Sequence, residues 1–111
     1  MNYDRFDVVI VPFPFTDKAQ VKRRPALVIS GGAFNKKAGH SVMAMITSAN
    51  NPPWPLDVPD SDLAAAGLPA PSIVRMKLFT LDHRFIVAKR GTLSDKNRKA
   101  VGRALKMALE L

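Results

Sequence analysis

Cysteine is absent from this chain. Its absence excludes disulfides, thiolate nucleophiles and thiolate metal sites, and fits a reducing compartment. Long apolar runs are missing too: the longest are strand-sized, well short of the roughly 20 residues a membrane span requires. Near the N-terminus Asp4, Arg5 and Asp7 interrupt any stretch that could act as a signal peptide, so the expected location is the cytoplasm. No H-E-x-x-H pair, carboxylate cluster or Cys/His pair offers a metal site. A glycine-rich phosphate loop, a dinucleotide fingerprint and a G-x-S-x-G nucleophile turn are likewise missing. Neither a metal nor a cofactor is expected. Acidic residues are scarce, with nine Asp and Glu against seventeen Lys and Arg.

That imbalance is the first functional clue. The formal net charge is +8 and the isoelectric point about 10.3. Between residues 16 and 40, Lys18, Lys22, Arg23, Arg24, Lys36 and Lys37 face Asp17 alone. Between residues 84 and 106, eight Lys and Arg face Asp95 alone, while the acids Asp57, Asp60 and Asp62 fall in the middle of the chain. Such a field attracts polyanions: nucleic acid, an acidic protein segment or a membrane surface. The plainer alternative is that it only aids solubility.

The 111 residues, 47% of them hydrophobic, are enough for one domain with its own core. Residues 7–13 (DVVIVPF), 26–30 (ALVIS) and 41–48 (SVMAMITS) read as strands. In the third, Val42, Ala44 and Ile46 share one face and Met43, Met45 and Thr47 the other. Pro12 and Pro14 suggest an edge or a strand ending. Residues 14–24 read as a basic loop, Gly31-Gly32 as a turn, and the Pro- and Asn-rich residues 49–59 as an irregular loop. Asp60 or Ser61 is expected to cap a short helical turn through Leu63 and Ala66, stopped by Gly67 and Pro69. Residues 72–80 and 85–90 give two further strands, with a turn near Leu81-Asp82-His83. Ser94 and Asp95 open a helix whose apolar stripe is Ala100, Val101, Ala104, Leu105, Ala108 and Leu109. Five strands and one terminal helix, without βαβ alternation, predict a mainly β fold: a small barrel-like sheet carrying a C-terminal helix.

The remaining polar residues suit chemistry on phosphate. RNA carries its own nucleophile, the 2′-hydroxyl, so a protein need only align it, move protons and stabilise the charge on the phosphorane. Arg is permanently charged and can bond two phosphate oxygens, and a hydroxyl can add a further bond. Lys22, Arg23 and Arg24 stand at the mouth of the second strand, and Thr47 and Ser48 end the third. If those strands pair, these ends converge on one anion. Each also has an ordinary reading: solvated surface for the basic residues, a packed β-former for Thr47. His40 and His83 could titrate near neutrality, or be plain surface histidines. Trp54 could stack on a base, or cover the core or an interface.

The same residues carry a family likeness. Asp7-Val8-Val9-Ile10-Val11-Pro12-Phe13-Pro14-Phe15-Thr16-Asp17, then Arg24-Pro25-Ala26-Leu27-Val28-Ile29-Ser30 and Ile46-Thr47-Ser48, resemble the PemK/MazF growth-inhibitor family, the toxins of type II toxin–antitoxin pairs. Ala66-Gly67-Leu68, Pro71-Ser72-Ile73-Val74-Arg75, Thr80-Leu81-Asp82 and Gly91-x-Leu93 continue the pattern in order. The resemblance implies an SH3-like barrel, a homodimer, and ribosome-independent, sequence-specific cleavage of single-stranded RNA to 2′,3′-cyclic phosphate and 5′-hydroxyl ends. It also implies a labile antitoxin whose acidic segment occupies the RNA groove, and no membrane partner. By the same resemblance Arg24 stabilises the phosphorane and assists proton transfer, and Thr47 holds the phosphate. Lys22, Arg23, Ser48, Trp54 and Lys77 are the expected RNA contacts. The chain departs from the pattern at Phe6, where a glycine is common, in its first loop DKAQVKR, and at Lys77. Rival functions for such a chain are a gyrase poison acting through protein contacts, a non-catalytic nucleic-acid regulator, or a degenerate copy that only sequesters antitoxin.

Overall fold

A computed structural model describes residues 2–13 and 22–111. Most of the expected basic loop, with Pro14, lies outside the described residues. Among the described residues six strands form one antiparallel, curled half-barrel sheet in the order β4-β5-β3-β2-β1-β6. They are β1 (Asp7–Phe13), β2 (Lys22–Val28), β3 (His40–Ser48), β4 (Val58–Pro59), β5 (Ser72–Asp82) and β6 (Ala88–Thr92). Among the described residues three α-helices accompany them: α1 (Gly32–Ala38) between β2 and β3, α2 (Leu63–Ala66) between β4 and β5, and α3 (Asp95–Leu109) after β6. None is long and apolar enough to cross a membrane.

The sheet is buried on both faces at its centre, which is why β1 reads as an unbroken apolar run. Val8, Leu27, Ala44, Ile46 and Val74 point to one face and pack under α2 and α3, through Ala66, Val101 and Ala104. Val9, Val11, Ala26, Val28 and Met43 point to the other and form a second core with Tyr3 and Leu81. The period of two along each strand produces this split. Two register shifts bend the sheet. One lies between Val8 and Val9 against β6, the other between Ala44 and Met45 against β5. Such irregularities sharpen the local twist.

Several expectations are corrected. The second strand starts at Lys22, so the basic triplet belongs to β2 and not to a loop. Gly31-Gly32 is no turn: Gly31 is the N-cap and Gly32 the first residue of α1. That helix has no side-chain cap of its own and is held by tertiary bonds. The fully buried Asn35 donates from Nδ2 to the Tyr3 and Ser30 carbonyls at 2.8 and 3.0 Å and accepts from the Ser30 hydroxyl. The N-cap of α2 is Asp62, whose carboxylate accepts from the Ala65 N–H at 3.1 Å, because Asp60 is turned inward. Residues 83–85 form a 3₁₀ turn and the last strand begins at Ala88. The apolar stripe of α3 leaves the core after Leu105, and Leu109 is half exposed. Phe6, at the position where the family pattern has glycine, adopts φ 73°. That left-handed backbone favours glycine. Here the ring packs on the first core beneath the Arg98 guanidinium, 5.8 Å away, which offsets the strain.

Candidate nucleic-acid interface

The alternation of β2 decides where its cations point. Ala26 and Val28 enter the second core, so Lys22 and Arg24 share that face; Leu27 enters the first core, so Arg23 shares its side. Arg24 stands opposite Val11 and Lys22 opposite Phe13, and the Arg24 guanidinium carbon is 6.0 Å from the Phe13 ring centre. Among the described residues no carboxylate pairs with Arg24. Arg23 instead lines a cleft on the far side of the sheet with Ile10, Leu68 and Arg90. The triplet therefore does not converge as a unit.

Pro25 has no N–H, and the β2–β3 ladder ends at Ala26 opposite Met45. Continuing that register by two residues sets Arg24 opposite Thr47, on the face that also carries Met43 and Met45. Thr47 is opposite Ile73 on its other side, and Ser48 is opposite Ser72. The Asn51 amide donates to the Thr47 hydroxyl oxygen, which leaves the Thr47 proton free to be donated elsewhere. The Ser48 hydroxyl accepts from the Asn50 N–H at 3.2 Å, shaping the turn that follows β3.

That turn leads to Trp54, 43% exposed. Its ring centre lies 4.5 Å from the Lys77 ammonium and 5.9 Å from the Arg75 guanidinium carbon. Lys77 is itself exposed. Arg75, only 8% exposed, grips both Asp57 carboxylate oxygens, from Nε at 3.1 Å and from Nη2 at 3.0 Å. Burial alone would raise the Asp57 carboxyl. The Arg75 hydrogen bonds, the Trp54 N–H and the Arg75 charge together outweigh it and hold the carboxyl below its ordinary value. Arg24, Thr47, Lys22, Trp54 and Lys77 thus lie on one face of the β1–β2–β3–β5 sheet, a polar continuation of the second core.

Sequence reasoning missed Asn51 and the Arg75–Asp57 pair. The available signal was Arg75 in register with the apolar positions Ile73 and Phe79, where a cation needs a buried counter-charge. The histidines stand apart. His40 opens β3 while Thr47 nearly ends it, about 23 Å along an extended strand. His83 packs its ring against Tyr3, with Nε2 2.7 Å from the buried Ser41 hydroxyl. Burial lowers its pKa, against the opposing pull of Asp82 and with help from the charges of His40 and the N-terminus. Among the described residues no group of three His, Asp or Glu side chains converges on a metal-sized space.

Comparison with known proteins gives this site a context. The sequence model of a family described as the PemK-like, MazF-like toxin of type II toxin–antitoxin systems matches residues 4–109. Among solved structures, a MazE–MazF crystal structure (Form-III) from Deinococcus radiodurans is 24% identical, covering 98% of this chain and 97% of that one, with a TM-score of 0.79. The Mycobacterium tuberculosis toxin MazF-mt6 is 23% identical over 95% of this chain and 97% of its own, with a TM-score of 0.75. An endoribonuclease in complex with its cognate antitoxin, from a mycobacterial species, is 17% identical over 98% and 94%, with a TM-score of 0.76. Comparison with curated protein sequences gives no match. These likenesses establish the fold: a curled, mainly β toxin-type sheet closed by a C-terminal helix.

Proposed function

Since this chain belongs to the PemK-like, MazF-like toxins of type II toxin–antitoxin systems, a family of endoribonucleases, we propose that it cleaves single-stranded RNA on the face that carries Arg24 and Thr47. The observation that supports the reading is the β2–β3 register: continued two residues past its last pair, it brings together the exposed Arg24, which has no carboxylate partner among the described residues, and the Thr47 hydroxyl, which accepts from Asn51. A phosphodiester seated there receives a two-pronged guanidinium and a Thr47 O–H donor. The 2′-oxygen attacks phosphorus as the bond to the 5′-oxygen breaks. A proton leaves the first oxygen and one reaches the second, giving a 2′,3′-cyclic phosphate and a 5′-hydroxyl. Arg24 stabilises the phosphorane, where negative charge is greatest, and assists the proton transfer. Lys22 and Lys77 hold neighbouring phosphates, Ser48 lies beside the scissile one, and Trp54 takes an unstacked base. Arg23 serves an outlying stretch of the nucleic acid, from the opposite side of the sheet.

The partners follow from the family and from the charge. By the family likeness a second copy of the chain completes the groove. An acidic antitoxin segment competes with RNA for it, as two polyanions must for one basic face. The test is incubation of the purified protein with a long single-stranded RNA in EDTA, with 5′ ends sequenced. Discrete cuts are expected, and Arg24→Ala should slow them by about 10²-fold or more, the order lost with a key charge-stabilising donor. Thr47→Ala should also impair cleavage without unfolding the domain. Intact RNA across varied sequences would transfer the role to protein contacts, as in a gyrase poison.

A further inference from the structure

Trp54 belongs to neither hydrophobic core, yet its position is fixed from several directions. Its backbone N–H donates to Asp57 Oδ2 at 2.9 Å, and its carbonyl accepts from the Asp57 N–H at 3.2 Å. Asp57 is in turn clamped by Arg75, which also donates to the Pro52 carbonyl at 2.8 Å. One guanidinium on a rigid strand thereby ties both ends of the segment that presents the indole. Lys77, two residues along the same face of β5, rests against the ring. A buried ion pair adds little net stability over an apolar replacement, because desolvation consumes most of its attraction; what it does give is fixed geometry.

We infer that Arg75 is a positioning residue for base recognition: through Asp57 it holds Trp54 as a stacking platform for a nucleobase beside the Thr47 phosphate position. This rests on the reading that the face binds single-stranded RNA. Arg75 is not available to the substrate, since it is buried and its Nε and Nη2 donors are engaged. An exposed indole flanked by an exposed cation is a surface on which any base can stack, with Lys77 reaching the adjoining phosphate.

Trp54 is the chain's sole tryptophan, so its emission reports on the platform alone. The probe is a mixed-sequence pool of 2′-O-methyl oligoribonucleotides, which lack the nucleophile and cannot be cleaved. Binding to the wild type should quench Trp54. The double variant Arg75→Met/Asp57→Leu removes both charges at once. It should keep its Tm within about 5 °C. It should lose the quench and bind about tenfold more weakly, the scale of a lost base–aromatic stack. If that variant fails to fold, Asp57→Asn, near in shape, should give the same loss of quench with a native circular dichroism spectrum. With natural RNA, KM should rise more than kcat falls. Unchanged quenching and affinity in a folded variant would overturn the inference, as would a wild type whose Trp54 ignores the oligonucleotide. Quenching without any cleavage of natural RNA would leave the positioning role standing and refute the nuclease reading instead.

Discussion

Two carboxylates three residues apart respond to pH in opposite directions. Asp57 has its pKa lowered, chiefly because its bonds to Arg75 override burial. Its contribution to stability is complete above the unfolded value of about 4 and is lost as the pH falls through the lower folded value. Emission from Trp54 should therefore shift only in acid below about pH 4, as the clamp releases. Asp60 is raised, first by burial: its Oδ1 accepts from Asn97 Nδ2 and the Asp62 N–H, and its buried Oδ2 has no partner among the described residues. The folded state then binds the proton more tightly, so stability falls as the pH rises from the unfolded value through the folded one. Asp60→Asn keeps the acceptor and drops the charge. Thermal melts at pH 7 should place it within about 1 kcal/mol of the wild type or above it. A loss of several kcal/mol would mean that the ionised form is needed. The positions of Arg24 and Thr47 near strand ends and of Trp54 in a Pro- and Asn-rich loop were legible in the sequence, whereas the choice of Arg24 and Thr47 among their polar neighbours came from the family likeness. Asp57 was visible only as one acid among several. Its role depends on a partner 18 positions away, which no local pattern announces.

Among the elements, β1 was legible to the residue because its β-branched run admits little else. The helix α1 was not. Its sequence GAFNKKA begins with glycine, lacks a capping side chain and is too short to be stable alone. What holds it is Asn35, inserted between the Tyr3 and Ser30 carbonyls. Asn35→Ala would leave those buried acceptors without a donor, and chemical denaturation should register a loss of about 1–3 kcal/mol or more. A change within about 0.5 kcal/mol would show that the packing of α1, not this bond network, secures it. The short β4 was hidden for a related reason. Two residues carry no period, and only pairing with Val74 and Ile73 defines them.

At the scale of the whole molecule charge is the strongest influence, and here composition alone was informative. A net +8 makes any nucleic-acid affinity salt-dependent. The logarithm of the binding constant should fall with the logarithm of salt, by about 0.7 per phosphate contacted on a single strand. Lys22→Ala should flatten that slope by roughly one such contact, read by titration at several salt concentrations. An unchanged slope would remove Lys22 from the interface. Composition could not reveal that successive cations of β2 serve opposite sides of the sheet, since that follows from parity along a strand. Parity also governs how the chain can change in length. Between the Ala44–Leu78 and Met45–Arg75 pairs, Met76 and Lys77 have no residue facing them on β3. Excising both would restore an even ladder with every side chain still on its own side. Excising one would turn the first half of β5 over, moving Val74 to the polar side that Arg75 now occupies and Arg75 into the first apolar core. Sheet parity therefore allows that strand to shorten by two residues at this point, with the loss of Lys77 from beside Trp54, but not by one.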